Sequence, residues 1–395
     1  MAKRYLYIFN PEHDLALASG ETNYMAPASA RQMASDLALL PMWFAEKDSA
    51  VLASSAYNVE FLKTMKEFLG VNIQIVTAPE LASDKEFEVI PWGWNPALWK
   101  NLLTLGLDES LLPSLSYMER LRYYSHRSRA VELLSRLCLN EYFCGESFYL
   151  KTPGEWKEFV ENHAACLLKA PLSGSGKGLN WCKGQFTSSI SGWCARIAAS
   201  QGGVIGELIY NKVEDFAMEF YADGRGKVSF AGYSIFHTSG SGMYAGNDLL
   251  PDEKILCKLS EYVPLEEFCR LRLRLEEELS VLLGDFYNGY LGVDMMICQF
   301  SDEGPEYRIH PCVEINLRMN MGLVARLFTD HYLAPGAEGK FEISFYPSEG
   351  LALEEDQKMS VSYPLRVEDR YICSGYLPLV PVTSLSLYRA WVMIE

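Results

Sequence analysis

At 395 residues the chain is long enough for two or three domains, each with a sizeable core. Hydrophobic residues make up 49% of it and charged ones only 22%, which excludes global disorder. A net charge of −16 argues against non-specific binding to nucleic acid or an anionic membrane, although local Lys, Arg or a metal can still hold an anion at short range.

Residues 4–9 (RYLYIF) predict a short buried strand. Its apolar run is cut off by Pro11 and Glu12, too soon for a secretory signal. The following loop, Asn10-Pro11-Glu12-His13-Asp14, has no glycine, which argues against a dinucleotide fingerprint. A strand at 49–53, a helix at 57–69 and a strand at 71–76 continue the alternation expected of a parallel α/β layer. The loops at 10–14 and 91–95 (PWGWN) are expected at a cleft, unless Trp92 and Trp94 simply pack. Residues 96–139 read as mainly helical, with an arginine-rich stretch at 121–137.

Residues 166–170 (CLLKA) predict a strand entering the Gly/Ser loop 173–178, whose small residues let backbone N–H groups cradle phosphate. It is not a Walker loop: Pro171 stands where the first glycine is required, and Gly178 follows Lys177 where Ser or Thr should bind magnesium. Lys169, inside the strand, is either an edge or snorkelling residue or a phosphate contact. Between 204 and 237 the pattern is strand, turn, strand, turn, strand, with Asp223-Gly224 a hairpin turn between 214–221 and 227–237. The Gly/Ser-rich segment 237–248 reads as a lid or a plain surface loop. Residues 264–283 predict a helix, since Phe268, Leu271, Leu275, Leu279 and Leu282 form one apolar stripe. Strands at 290–300 and 307–317 follow, and the tail is expected to be irregular and β-rich.

Ten cysteines, Cys138, Cys166, Cys269 and Cys298 among them, lie in apolar contexts without a CxxC pair. They are expected to be buried free thiols in a reducing compartment, which makes the protein cytoplasmic. The longest uncharged stretch, 371–388, carries two prolines and is a poor membrane span.

The segment YRIHPCVEINLR (307–318) is the most informative. At period 2, Tyr307, Ile309, Pro311, Val313, Ile315 and Leu317 share one face, while Arg308, His310, Cys312, Glu314, Asn316 and Arg318 share the other. Glu314 and Asn316 then offer hard oxygens side by side, which suit magnesium, although a solvent-facing sheet surface fits the same pattern. Pro311 signals an edge or a bulge. Asp294 is the only charge in the apolar run 290–300, and a carboxylate buried there is costly without a partner. Pairing of the two strands as a hairpin would bring Asp294 to Glu314 and Asn316; an ion pair with Arg308 or Arg318 is the alternative.

Taken in order, the lysine strand, the glycine loop, the Glu-ended strand, and Asp and Glu-x-Asn on two late strands resemble the ATP-grasp superfamily of carboxylate–amine ligases over about residues 120–325. That resemblance implies an ATP-grasp fold, two α+β subdomains at 121–206 and 207–345. An N-terminal α/β pre-ATP-grasp domain would precede it at 1–120, and a β-rich extension would follow at 346–395. It implies that Lys169 contacts the phosphates and the base edge, and that Gly174, Ser175, Gly176 and Gly178 form the phosphate-covering loop. Glu207 would accept from the adenine amino group, Ile209 would offer backbone groups to the ring, and Glu214 would meet the ribose unless it is a solvated turn residue. Asp294, Glu314 and Asn316 would hold Mg2+, with Arg318 and Lys169 as catalytic contacts of the transferring phosphate.

Two departures stand out. Where the family carries a further lysine, SHRSR stands here, so Arg127, or failing that Arg129, is the expected phosphate contact. Relatives often carry Arg at the position of Gly292, so Arg318 or Arg308 must meet the charge. The resemblance implies an ATP- and Mg2+-dependent ligase that activates a small-molecule or peptide carboxylate as an acyl phosphate for an amine. A phosphotransferase and a module that binds nucleotide without turnover are the alternatives.

Overall fold

The computed structural model describes residues 4–54, 56–83, 87–174, 178–238 and 244–395. It is a mixed α/β structure with parallel and antiparallel sheets, divided into two compact units. The first comprises Met1–Glu119, Ala245–Pro251 and Met319–Glu395, and the second Arg120–Tyr244 and Asp252–Arg318. The division departs from the expected one: residues 319–395 belong with the N-terminal residues and do not form separate parts at 207–345 and 346–395.

In the first unit a parallel sheet has the order Gln74–Val76, Ala50–Leu52, Arg4–Ile8, Phe87–Pro91. Leu6, Ile8, Ala50, Phe87 and Val89 share a core with Leu98 and Leu102 of the helix Pro96–Thr104. Burial on both faces explains why these strands read as short apolar runs. The chain builds outward from Arg4–Ile8 on one side, then returns to pair with its other side, so the order switches between Arg4–Ile8 and Phe87–Pro91. An antiparallel layer contains Gly339–Phe345, Tyr388–Ile394, Tyr371–Pro378 and Arg366–Glu368.

Trp43, wholly buried, explains why the two chain ends share this unit. Its Nε1 donates to the Leu379 carbonyl at 2.6 Å, and its ring meets Phe328 and Tyr332 edge-on. Asp36 accepts from the backbone N–H groups of Leu387 and Tyr388 at 2.9 Å each. The tail is not merely β-rich, since it includes the helices Met321–Tyr332 and Leu351–Ser362. The latter buries only Ala352, so its sequence carries no apolar stripe.

The second unit holds two sheets. One has the order Ser147–Leu150, Val204–Leu208, Cys166–Lys169, Leu179–Cys182. Trp156, Phe159 and Val160 of the helix Pro153–Asn162 pack against Leu168 and Val204 beneath it. The other is ordered Tyr307–Asn316, Asn288–Gln299, Asn211–Asp223, Val228–Thr238. The helix Leu265–Leu283 contributes fully buried Phe268, Leu271, Leu275 and Leu279, as the apolar stripe requires, and Phe268 meets Phe216 of the sheet. Residues 244–249, expected in a loop, form the strand Tyr244–Leu249, while residues 239–243 lie outside the described residues.

All ten cysteines are free, and Cys269, expected to be buried, is exposed on its helix. Among the described residues no helix is long and apolar enough to cross a membrane. Leu275→Ala should destabilise the second unit by about 2–5 kcal/mol in urea unfolding. Leu273→Ala, on the exposed side of the same helix, should shift stability by less than about 0.5 kcal/mol.

Candidate functional site

The strands Asn288–Gln299 and Tyr307–Asn316 pair antiparallel, with Asp294 directly opposite Glu314 and Gly292 opposite Asn316. Directly opposed residues share a face, so the two carboxylates and the amide converge. Asn316 Nδ2 donates to Asp294 Oδ2 at 3.0 Å, and Arg318 donates to Asn316 Oδ1 at 3.0 Å. The register slips between Asp294 and Met296, opposite Pro311, and Tyr307–Asn316 is an edge strand. Pro311 thus sits where a residue without an N–H is tolerated. The polar face is not a solvent-facing surface, since His310 and Cys312 on it are buried.

Burial and then the Glu314 charge push Asp294 up to about 7, against the opposing pull of Arg318 and the Asn316 amide. Among the described residues no three His, Cys, Asp or Glu side chains cluster as metal ligands, so this set stands as two carboxylates and one amide. Two facing carboxylates, one of them pushed up by burial and by the charge of the other, offer hard oxygens of the kind that suit a divalent cation. Asn316 Oδ1, engaged by Arg318, would have to be released to ligate it. Arg308 is not part of this group: it pairs with Asp302, donates to the Pro305 carbonyl and lies over the Phe300 ring, opposite Cys298 in the sheet.

Lys169 and Glu207 lie on the other sheet of the same unit. Leu167 opposes Glu207, which makes Lys169, two residues on, a diagonal neighbour on the same face. Lys169 Nζ and Glu207 Oε2 are 2.5 Å apart, and both residues are buried. Cys166–Lys169 is an interior strand, so Lys169 is neither an edge nor a snorkelling lysine. His310, buried nearby, is driven down to about 4 chiefly by burial, partly offset by the charge of Glu207. Ile209 follows the Glu207 strand with its side chain exposed.

Arg127 connects the lysine sheet to the carboxylates. Its guanidinium donates to the Ala170 carbonyl at 2.7 Å and to Ser173 Oγ and O at 2.7 and 2.9 Å. It also pairs with Glu314 Oε2 at 2.6 Å. Arg129 instead bonds Tyr123 and Glu132, so of these two arginines it is Arg127 that joins Ser173 to Glu314. Gly174 is buried beside Ser173. At Gly178, φ is +75° and a Cβ would lie 2.9 Å from Ser173 Cβ, so only glycine closes the loop there. Ser175 and Gly176 lie outside the described residues.

Glu214 does not face Asp294. It opposes Ile297, whereas Asp215 opposes Met296 and Ala217 opposes Asp294. The carboxylate that this strand turns toward the face of Asp294 is therefore Asp215, held by Lys212 and by Thr238 Oγ1 at 2.9 Å. Fully buried Glu219, opposite Gly292, is on the same face and accepts from Ser234 Oγ at 3.0 Å. Counting the strand at period 2 back from its pairing with Asp294 would have found both.

No protein-family model matches the chain, and no curated protein matches it either. Similar solved structures include N5-carboxyaminoimidazole synthetase from Staphylococcus aureus, complexed with ADP, at 10% identity and a TM-score of 0.46, over 89% of this chain and 94% of that one. Biotin carboxylase from Campylobacter jejuni is 12% identical with a TM-score of 0.47, over 99% and 87%. N5-carboxyaminoimidazole ribonucleotide synthetase from Thermus thermophilus is 13% identical with a TM-score of 0.48, over 99% and 93%.

The Asp294 carboxyl titrates at about 7 in the folded chain against 3.8 for the free side chain. The folded state therefore binds more protons between these values, and metal-free stability falls as pH rises from about 4 to 7. Asp294→Asn abolishes this loss. Without metal or nucleotide, the variant should melt above wild type at pH 8 and lose that advantage near pH 4, by about 2–4 °C per kcal/mol recovered. A variant that melts below wild type at pH 8 would show that the Asp294 charge is already compensated.

Proposed function

We propose that the second unit is an ATP-grasp fold binding ATP and magnesium, and that the protein is a ligase activating a carboxylate for attack by an amine. The observation that carries this reading is the Arg127 fork, which touches both Ser173 of the glycine loop and Glu314 of the carboxylate face. A loop suited to phosphate and a face suited to a hard cation lie within one side chain of each other, as nucleotide–metal chemistry requires. Ten free thiols accord with a reducing compartment and thus with the cytoplasm.

Asp294, Glu314 and Asn316 would hold magnesium, which when bound supplies positive charge to the phosphates. Lys169 and Glu207 offer a donor and an acceptor side by side for the nucleotide. Gly174, Gly178 and their loop offer backbone N–H groups, and Arg127 fixes where the loop starts. Arg318, which donates to Asn316 Oδ1, would contact the transferred phosphoryl group. Glu214, on the strand face away from Asp294, would meet the ribose, and Ile209 would offer backbone groups to the ring. In the reaction a carboxylate oxygen takes the γ-phosphoryl group and ADP leaves. An amine then forms the C–N bond as phosphate and a proton depart.

ATP with magnesium should raise the melting temperature, since binding to the folded state stabilises it by about 2.7 kcal/mol at a hundredfold excess over Kd. Glu314→Ala should remove most of that shift. A wild-type melting curve indifferent to MgATP would sink the reading. Glu207 should also select adenine, because guanine presents an oxygen where adenine presents a donor. GTP should therefore bind weaker by about 1–3 kcal/mol in titration calorimetry. Equal affinities would remove Glu207 from the base site.

A further inference from the structure

The glycine loop of the second unit leaves its strand through Ala170-Pro171-Leu172-Ser173, and the main chain there is held group by group. The Ala170 N–H donates to the Gly178 carbonyl at 2.8 Å, which closes the two ends of the loop. Arg127 takes the carbonyls: its guanidinium reaches those of Ala170 and Ser173, and its backbone N–H donates to that of Pro171 at 3.0 Å. Leu172 is buried, so its N–H needs a partner within the protein. It donates to Oε1 of Gln201 at 2.7 Å. The Pro171 carbonyl and the Leu172 N–H belong to one planar peptide unit. That plane is gripped from both sides, by Arg127 and by Gln201, and cannot turn without breaking a bond.

Gln201 is itself fixed in place. It ends the helix Ser188–Gln201, and Gly202, at φ +83°, turns the chain toward the strand Val204–Leu208 that carries Glu207. Two side chains hold the carbonyls of this helix end. Arg122 donates to the Ser200 carbonyl at 3.0 Å, and His126 Nε2 lies 3.0 Å from the Gln201 carbonyl. His126 Nδ1 accepts from the Ser128 N–H at 3.2 Å, which makes Nε2 the nitrogen that carries the proton and donates. This arrangement needs a neutral ring. Burial lowers the His126 pKa against the pull of its bond to Gln201, and the charges of Arg129, Arg122 and Arg127 lower it further. The entrance of the loop and the approach to the Glu207 strand thus meet at one residue.

We propose that Gln201 is a positioning residue: by fixing the Pro171–Leu172 peptide plane it aims the backbone N–H groups of the glycine loop at the nucleotide phosphates. This role rests on the nucleotide binding of the proposed function. Backbone N–H groups hold an anion only where they converge on it, and a peptide plane that turns just before the loop redirects the groups that follow. Gln201 acts through Leu172 and touches no part of the ligand. Its effect therefore falls on the phosphates and spares the base.

The test compares the full chain with Gln201→Leu, which removes the acceptor, and Gln201→Glu, which keeps one. MgATP and adenosine, which has the base but no phosphate, are titrated by calorimetry, and melting curves show that each variant is folded. Gln201→Leu should weaken MgATP by about three- to tenfold, the net worth of one hydrogen bond, and leave adenosine within about twofold of wild type. Gln201→Glu should recover most of the lost MgATP affinity. Unchanged MgATP affinity in Gln201→Leu, an equal loss for adenosine, or no recovery in Gln201→Glu would overturn the proposal, since a merely structural glutamine gives one of these. Wild type that binds neither ligand would instead overturn the nucleotide-binding reading, and the role of Gln201 with it.

Discussion

The guanidinium of Arg127 is what the candidate site in the second unit depends on. It is buried, and its two terminal nitrogens are matched by a negative charge and by acceptors: Glu314 supplies the charge and the Ala170 and Ser173 oxygens accept, while Nε has no partner. A planar, rigid fork of donors suits that task where a lysine would give a single point charge. The consequence is geometric. The start of the glycine loop and one oxygen of Glu314 are fixed relative to each other, so the loop cannot shift without disturbing the carboxylate. Arg127, expected as a phosphate contact, also holds Ser173 and Glu314 together.

Around that fork the charges are unevenly shared. Lys212 is committed to Asp215 and Arg127 to Glu314, while Arg318 donates to the amide of Asn316. At Asp294 burial, reinforced by the facing Glu314 carboxylate, outweighs the pull of Arg318 and of the Asn316 amide and pushes the carboxyl up to about 7. The lysine sheet shows the opposite condition. Lys169 and Glu207 neutralise each other, and burial holds His310 down at about 4, so no third charge upsets the pair at neutral pH. At one location burial disfavours the charged form of a carboxylate, and at the other a buried ion pair is balanced.

Much of this was legible in the sequence because it follows from period. The alternation in 307–318 and the lone charge in 290–300 placed Asp294, Glu314 and Asn316 on one face, and pairing did the rest. The helix 264–283 was legible from its stripe. Other features lie where local pattern is silent. Which of Glu214 and Asp215 shares a face with Asp294 depends on register with a neighbouring strand, and one residue of slip reverses the face. The helix Leu351–Ser362 buries one residue and so leaves no stripe. The return of the tail to the N-terminal unit rests on Trp43 reaching Leu379, a contact across 336 positions that no window of sequence contains.

The buried Lys169–Glu207 pair limits what can bind beside it. Removing one partner of such a pair costs about 3–5 kcal/mol, because the other is left charged and dry. A ligand that enters between them must therefore replace both partners at once, offering an acceptor to Lys169 and a donor to Glu207. A flat edge carrying a ring nitrogen and an amino group side by side does this without bringing in any charge, and adenine has that edge. An edge with a carbonyl in place of the amino group satisfies Lys169 and leaves Glu207 facing oxygen. Base selectivity in the proposed function is then a property of the empty protein, already present in the balance of one ion pair between neighbouring strands.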